Sequence, residues 1–214
     1  MSADDDRYAN PGHPGCGVTA SGESSEVARV YRAPWRIDVT VRQGVPRIVP
    51  RTELARVVVG ALVAAEAPAP GAVGLILTDD AELTELNELA MGRREPTDVL
   101  SFPLFPPSAF PVHEGQHPSV RPAHAGPAFI TPRGRRAELG EIAVSVERAI
   151  EQARAGRAGQ TGDVRWSEVD ELRLLVVHGT LHLCGWDHAL PEEGSAMRAL
   201  ENSVLGRRWE RALG

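Results

Sequence analysis

Three histidines stand close together near the C-terminal end of the chain, in the segment HGTLHLCGWDH at residues 178–188. His178 and His182 are four residues apart in a helical pattern, and residues at i and i+4 lie one turn apart on the same helix face. Gly185 is suited to end that helix in a left-handed turn, because glycine adopts positive φ without a steric penalty. The reversed chain can then bring His188 back to the first pair. The spacing predicts three imidazole ligands around one metal ion, with one coordination position left for water.

Zinc is the natural ion for a site of three imidazoles, and we expect one Zn²⁺ per chain, although the ligand type also permits nickel, copper or iron. The spacing of the histidines and the glycine matches the H-x-x-x-H-x-x-G-x-x-H layout of metzincin metalloproteases. Those proteases carry a glutamate directly after the first histidine as general base. Here that position is Gly179, so a metalloprotease is an alternative that lacks its usual proton acceptor.

Other residues near the histidines have two interpretations each. Asp187 can orient an imidazole as a hydrogen-bond acceptor, or it can cap the turn that ends the helix. Cys184 lies two positions past the second histidine, so on a helix its thiol points away from the ligands and a buried apolar role is favoured. His113, His117 and His124 have irregular spacing in a proline-rich segment, which favours solvated loop histidines over a second metal site.

The hydrophobic pattern predicts the elements that must position this site. It indicates four strands and about five helices in one domain, with the strands at WRIDVTV, AVGLILTDD, PTDVLSFPLF and AELGEIAVSV. Prolines at both ends of PTDVLSFPLF favour an edge position for that strand. The helix SEVDELRLLVVHGTLHLCG is apolar around most of its circumference, which predicts a central, buried helix.

Composition divides the chain into a tail and one domain. Residues 1–34 are rich in Gly, Ser, Asp and Pro with little periodicity, which predicts a disordered tail. Residues 35–214 are long enough for one domain with its own core. Within this domain, residues 106–136 are rich in Pro, Gly and His, and we expect them to form a long inserted surface loop.

Charge and cysteine content narrow the class of protein further. The net charge of −6 argues against a uniformly basic nucleic-acid-binding protein but not against a local basic cleft. Cys16 lies in the tail and Cys184 in the histidine segment, so no structural disulfide is expected and a reducing compartment is the default. The chain has no apolar run long enough to cross a bilayer and no signal-peptide pattern. These features predict a cytoplasmic protein without membrane contact.

Four segments of the chain carry a family resemblance. HGTLHLCGWDH resembles the H-G-x-L-H-L-x-G-x-D-H signature of the YbeY-type bacterial rRNA maturation factors. PTDVLSFP at 96–103 looks like a strand segment of that family, and LGEIAVS at 139–145 is similar to its L-G-D-I-x-I-S element. TDDAELTELN also fits, with Asn87 at the family's usual position. The segments occur in the family's order, and the resemblance covers about residues 35–205.

The resemblance implies a fold, an activity and a set of partners. The implied fold is α+β, a small four-stranded mixed sheet packed with about five helices, and the zinc cleft is formed with the C-terminal helices. The implied activity is a metal-dependent endoribonuclease specific for single-stranded RNA, which matures the 3′ end of small-subunit (16S) rRNA and takes part in ribosome quality control. The implied zinc ligands are His178, His182 and His188, and the implied partners are small-subunit rRNA and the ribosome or its proteins.

A further alternative is a non-catalytic ribosome-assembly factor whose zinc ties the C-terminal helices together. Three histidines rather than four protein ligands favour an open, catalytic site over a closed, structural one. A fourth ligand from another part of the chain would reverse this preference.

Candidate RNA contacts follow partly from a departure from the family pattern. The family often has an arginine a few residues before the P-T-D segment, and an ungapped alignment places Met91 there, with Arg93 and Arg94 close by. Arginines that flank a cleft hold phosphates, so these two are candidate substrate-binding residues together with Ser101 on the predicted edge strand. The PRGRR segment at 132–136 is a second arginine-rich candidate.

Overall fold

The computed structural model describes residues 26–113, 135–155 and 167–206. The strands are β1 (Glu26–Arg32), β2 (Trp35–Val41), β3 (Gly71–Thr78), β4 (Val99–Pro103) and β5 (Ala137–Ser145). The helices are α1 (Arg51–Ala64), α2 (Asp80–Met91), α3 (Val146–Ala155), α4 (Glu168–Leu183) and α5 (Pro191–Leu205), and Pro107–Ala109 form one 3₁₀ turn. Within these ranges no helix combines the length and the apolarity needed to cross a bilayer.

The five strands form one mixed sheet in the order β1-β2-β3-β5-β4. The central pairs β2–β3 and β3–β5 are parallel, whereas β1 pairs with β2, and β4 with β5, in antiparallel orientation. The predicted α+β class and mixed sheet are confirmed. The strand with prolines at both ends, β4, occupies an edge as predicted, because proline cannot donate to a second neighbouring strand.

The predicted count of four strands was one too low, because β1 lies within the segment 1–34 that was assigned to a disordered tail. Every residue of β1 pairs with β2, from Glu26 opposite Val41 to Arg32 opposite Trp35. Four of the seven β1 side chains are exposed and none is fully buried, so the sequence shows no strong apolar face. Val30 alone of this strand packs against the main core as a partly buried residue. Residues 1–25 lie outside the described part of the chain, as do 114–134 of the predicted loop.

Alternating residues of the sheet face two separate hydrophobic clusters. Ile142 and Val144 of β5 belong to the main core together with apolar residues of α1 and α4. Ala143, between them, faces the opposite side and packs with Leu83 of α2 and Leu100 of β4. This is the period of two expected for a strand covered on both faces.

Helix α4 is the central helix that the sequence predicted. Ser167 and Asp170 cap its N-terminus reciprocally: each side chain accepts a hydrogen bond from the other residue's backbone N–H. The helix packs against α1, α3 and α5 and against β4 and β5. Its C-terminal turn therefore lies where the sheet edge meets the C-terminal helix.

Gly179 lets α4 approach the sheet closely. A Cβ atom at this position would lie 2.7 Å from Ile142 Cγ2 and 2.8 Å from Val99 Cγ2, whereas non-bonded carbon atoms prefer about 3.5–4.0 Å. The Gly179 carbonyl also accepts a hydrogen bond from the Ser101 hydroxyl at 2.9 Å. The glycine thus sets the distance between the helix that carries two histidines and the strands at the sheet edge.

We expect Gly179→Ala to lower the free energy of unfolding by about 1–3 kcal/mol, because overpacking forces the neighbouring side chains or backbone to shift. Gly60→Ala in α1 is the matched control, since its Cβ would meet Val204 Cγ1 at 3.4 Å, the near limit of an ordinary contact. The control should be neutral or stabilising by up to about 1 kcal/mol, because alanine favours helix over glycine. Urea unfolding measures both, and a Gly179→Ala protein as stable as the wild type would contradict the close approach.

Candidate metal centre

His178 and His182 lie one turn apart in α4 and point their rings to the same place. Their Nε2 atoms are 3.0 Å apart, and their ring centroids are 4.6 Å apart. Both side chains are half-buried. The arrangement is the one that the four-residue spacing predicted.

His188 joins this pair because the chain reverses directly after α4. Gly185 has φ of +81°, the left-handed conformation that glycine adopts most readily. The His188 ring centroid lies 5.3 Å from that of His178 and 5.1 Å from that of His182. One nitrogen from each of the three rings lies within 4.8 Å of the others, so the structure brings the three predicted ligands together. His188 is exposed, which places it on the solvent side of the cluster.

Hydrogen bonds to the outer nitrogens set the tautomers of the first two rings. His178 Nδ1 lies 2.7 Å from Glu201 Oε1, and His182 Nδ1 lies 2.9 Å from the Trp186 carbonyl oxygen. Both partners are acceptors, so the network assigns each ring proton to Nδ1 and each lone pair to Nε2. Burial, together with repulsion from His178, lowers the pKa of His182 to about 4. His182 is therefore neutral at pH 7 and can act as a ligand.

The geometry of the donor atoms suits a metal ion. Two Nε2 lone pairs directed at each other across 3.0 Å repel unless a cation lies between them. Ligands on a tetrahedral zinc ion at the usual Zn–N distance are about 3.3 Å apart, close to the observed separation. The three imidazoles can thus hold one metal ion and leave a coordination position on the exposed side, where His188 lies.

Glu201 is a functional candidate that the sequence analysis missed. Its side chain is 6% exposed and contacts His178 from α5, 23 residues further along the chain. A carboxylate on a ligand's outer nitrogen fixes the ring and raises its basicity. The available signal was its position four residues after the buried Met197, on the inward face of α5. Asp187, for which the sequence left an orienting and a capping role open, accepts from the backbone N–H of His188 at 2.7 Å, which is the contact of the capping role.

The neighbouring cysteine and histidine behave differently from each other. Cys184 is 1% exposed and belongs to the main core, so the apolar role is confirmed. Burial raises the pKa of its thiol to about 12. His113 stacks on Trp186 with ring centroids 3.8 Å apart, and its Nε2 lies 3.3 Å from the Gly185 carbonyl oxygen. The prediction of a solvated loop residue was thus wrong for His113, whereas His117 and His124 lie outside the described residues.

Two cavities flank the histidines, and both are lined in part by His178, His188 and Asp98. The smaller, of about 250 Å³, runs between α4 and α5. The larger, of about 480 Å³, follows the edge strand β4 and is within the range of ligand-binding sites. Together they form a cleft that passes the histidines on both sides.

The predicted substrate-binding residues are distributed unevenly around this cleft. Ser101 lines the larger cavity, as does Met91. Arg93 and Arg94 line neither cavity, and Arg94 pairs with Glu88 at 3.2 Å on the exposed surface. Both arginines are exposed on the loop after α2.

The PRGRR segment is also remote from the cleft where it is described. Arg136 lies over the Tyr31 ring of β1, 5.4 Å from its centroid. Strand β1 is at the sheet edge opposite β4. Arg133 lies outside the described residues.

A family model and similar proteins from other organisms indicate the same family. A family model described as Endoribonuclease YbeY matches residues 47–208. The protein of that name from Roseiflexus castenholzii is 34% identical over 171 residues, which are 79% of this chain and 91% of that protein. The one from Saccharopolyspora erythraea is 37% identical over 135 residues, 62% of this chain and 60% of that protein. A solution structure of a Thermotoga maritima protein is similar with a TM-score of 0.43 and 23% identity, covering 83% of this chain and 95% of that one.

Replacing Glu201 with glutamine is expected to weaken Zn²⁺ binding about tenfold, because the amide can keep the hydrogen bond to His178 but lacks the negative charge of the carboxylate behind a metal-binding imidazole. Glu192→Gln, the same change on the exposed first turn of α5, is the matched control and should leave the affinity unchanged. Competition with a chromophoric chelator measures both affinities. Indistinguishable values for the two variants would show that the Glu201 contact does not tune the site.

Proposed function

Because the chain belongs to the Endoribonuclease YbeY family, we propose that it is a zinc-dependent endoribonuclease that cuts single-stranded RNA. The proposed metal ligands are His178, His182 and His188. The proposed substrate is small-subunit rRNA, cut during maturation of the 3′ end of 16S rRNA and in ribosome quality control. This role places the protein in the cytoplasm, in contact with the ribosome or its proteins.

The observation that carries the proposal is the convergence of three imidazoles at the wall of an open cleft. One nitrogen from each ring lies within 4.8 Å of the others, and two cavities meet beside them. Among the described residues the group of potential ligands contains these three histidines and no fourth. Three protein ligands are typical of catalytic zinc sites, whereas structural sites are closed by four.

A divalent ion held there would lower the pKa of a coordinated water molecule to about 7 and polarise a phosphoryl oxygen. The residues of the chain supply orientation and access. Glu201 and the Trp186 carbonyl hold two rings with their Nε2 atoms facing inward, and the low pKa of His182 keeps it unprotonated. The cleft along β4 admits an extended polymer to the exposed side of the cluster.

The packing of Gly179 weighs against a metalloprotease. In metzincins the residue after the first histidine is the glutamate that acts as general base. A Cβ atom at 179 would lie 2.7 Å from Ile142 Cγ2 and 2.8 Å from Val99 Cγ2, so the packing of α4 on the sheet leaves no room for a side chain at this position. A glutamate would not fit there without a shift of the helix or the sheet, and the proton acceptor of that mechanism has no equivalent at this position.

His182→Ala is expected to abolish zinc retention and RNA cleavage together, because it removes one of three ligands and leaves the remaining pair with low affinity. Elemental analysis of the purified protein and a gel assay on single-stranded RNA, with and without chelator, measure the two effects. His124→Ala, purified in parallel, controls for contaminating ribonuclease and for the loss of a histidine as such.

The outcomes separate the alternatives. Chelator-sensitive cutting of RNA by the wild type alone supports the endoribonuclease. Cutting of an unfolded protein substrate instead would indicate a metalloprotease, and retention of zinc without either activity would indicate an assembly factor. Metal-independent RNA cutting by His182→Ala at the wild-type rate would refute the proposal.

The proposed cellular substrate needs its own measurement. Cells depleted of the protein are expected to accumulate small-subunit rRNA with an unprocessed 3′ end, because the proposed function of this enzyme is to cut at that end. Mapping of 3′ ends by sequencing detects it, with His182→Ala and wild-type complementation as the matched pair. Normal 3′ ends in the depleted cells would remove this substrate but leave the nuclease activity untouched.

A further inference from the structure

The cleft beside the histidines is lined by acidic groups and one cationic side chain. Asp98 lines both cavities, and Glu201 lines the smaller one. Arg198 of α5 is the single arginine among the described residues that line the two cavities, and the chain has no lysine. A polyanion that enters such a cleft needs a cation on the protein as well as any metal, because nearby carboxylates repel phosphates.

Arg198 lies close to the candidate metal centre because the residue between them, Gly194, has no side chain. A Cβ atom at Gly194 would lie 3.3 Å from Arg198 Nη1 and 3.5 Å from His188 Cβ. The guanidinium and the exposed ligand are therefore on either side of one small space. A group bound at the exposed side of the histidines can extend directly to the arginine.

The guanidinium of Arg198 is available for a ligand. Its only partner among the described residues is the Ser195 hydroxyl, which accepts from Nη2 at 3.2 Å. Several other arginines are paired with carboxylates, such as Arg148 with Asp80 at 2.8 Å and Arg154 with Glu168 at 3.0 Å. A guanidinium has five N–H donors in a planar fork that fits two phosphate oxygens, so most of the binding capacity of Arg198 is unused.

We propose that Arg198 binds a phosphate of the single-stranded RNA, next to the phosphodiester held at the histidines. The RNA backbone then lies along β4 in the larger cavity, passes the exposed face of His188 and reaches Arg198 at α5. Before RNA binds, the Ser195 hydroxyl holds the guanidinium in place. This inference rests on the proposed endoribonuclease function and identifies a phosphate-binding cation within the cleft, whose two cavities are not lined by Arg93 or Arg94.

The test compares Arg198→Ala and Arg198→Lys with Arg56→Ala, a matched control on α1. Arg56 is exposed and lines neither cavity, so its loss changes the net charge by the same amount. Fluorescence anisotropy with a 2′-O-methyl RNA oligonucleotide, checked on a gel for integrity, gives the affinity at several salt concentrations. Steady-state cleavage of the unmodified RNA gives kcat and KM. Zinc content and the urea midpoint are recorded for every variant.

Arg198→Ala should weaken RNA binding about tenfold or more, as expected for one hydrogen-bonded charge pair. It should also make the plot of log K against log salt shallower by about 0.7, the value for one phosphate contact on a single strand. KM should rise while kcat stays nearly constant, because the contact is made equally in the ground and transition states. Arg198→Lys should keep the salt slope but lose part of the affinity, because an ammonium cannot bind two oxygens in the same fork.

Two results would overturn the inference while leaving the nuclease proposal intact. One is a wild type that cuts RNA together with an Arg198→Ala protein of unchanged KM and salt slope. The other is an equal loss in Arg56→Ala, which would mean that net charge alone is responsible. A wild type that neither binds nor cuts single-stranded RNA would end both proposals. A loss of zinc or of stability in Arg198→Ala and Arg198→Lys alike would assign the residue a structural role instead.

Discussion

The contact between α4 and the sheet edge at Gly179 is the constraint on which the site depends. With no side chain in between, the helix backbone lies against Ile142 and Val99, and its carbonyl binds Ser101 of β4. His178 and His182 flank this contact in the sequence, so their positions relative to β4 follow from it. The same contact places the open edge of the sheet beside the metal centre rather than elsewhere on the surface.

The C-terminal helix completes the site from the other side. Helix α5 contributes the carboxylate that orients His178 and the glycine next to His188, and it forms one wall of the smaller cavity. The three histidines therefore lie between two different walls. Strand β4 supplies an extended backbone along the larger cavity, and α5 supplies the charged groups Glu201, which contacts the His178 ring, and Arg198, which lines the smaller cavity.

The distribution of charge around the cleft has a physical rationale. An acidic group such as Glu201 raises the basicity of a ligand histidine and favours metal binding, but it also repels a polyanionic substrate. The Glu201 side chain is 6% exposed, and its Oε1 lies 2.7 Å from His178 Nδ1, so the carboxylate is engaged by the ring. A cation such as Arg198, which lines the same cavity and does not pair with Glu201, can offset this repulsion.

Local features were predictable from the sequence because they depend on residues within a few positions of one another. The i, i+4 histidines, the left-handed turn at Gly185, the cap of α4 and the buried character of α4 are all of this kind. The tertiary structure decided the contacts that join distant segments: the pairing of β1 with β2, Glu201 with His178, and His113 with Trp186. It also placed Arg198 in the cleft and Arg94 outside it. Sequence spacing determines geometry only along one element, whereas the packing of separate helices and strands determines which side chains from different elements meet.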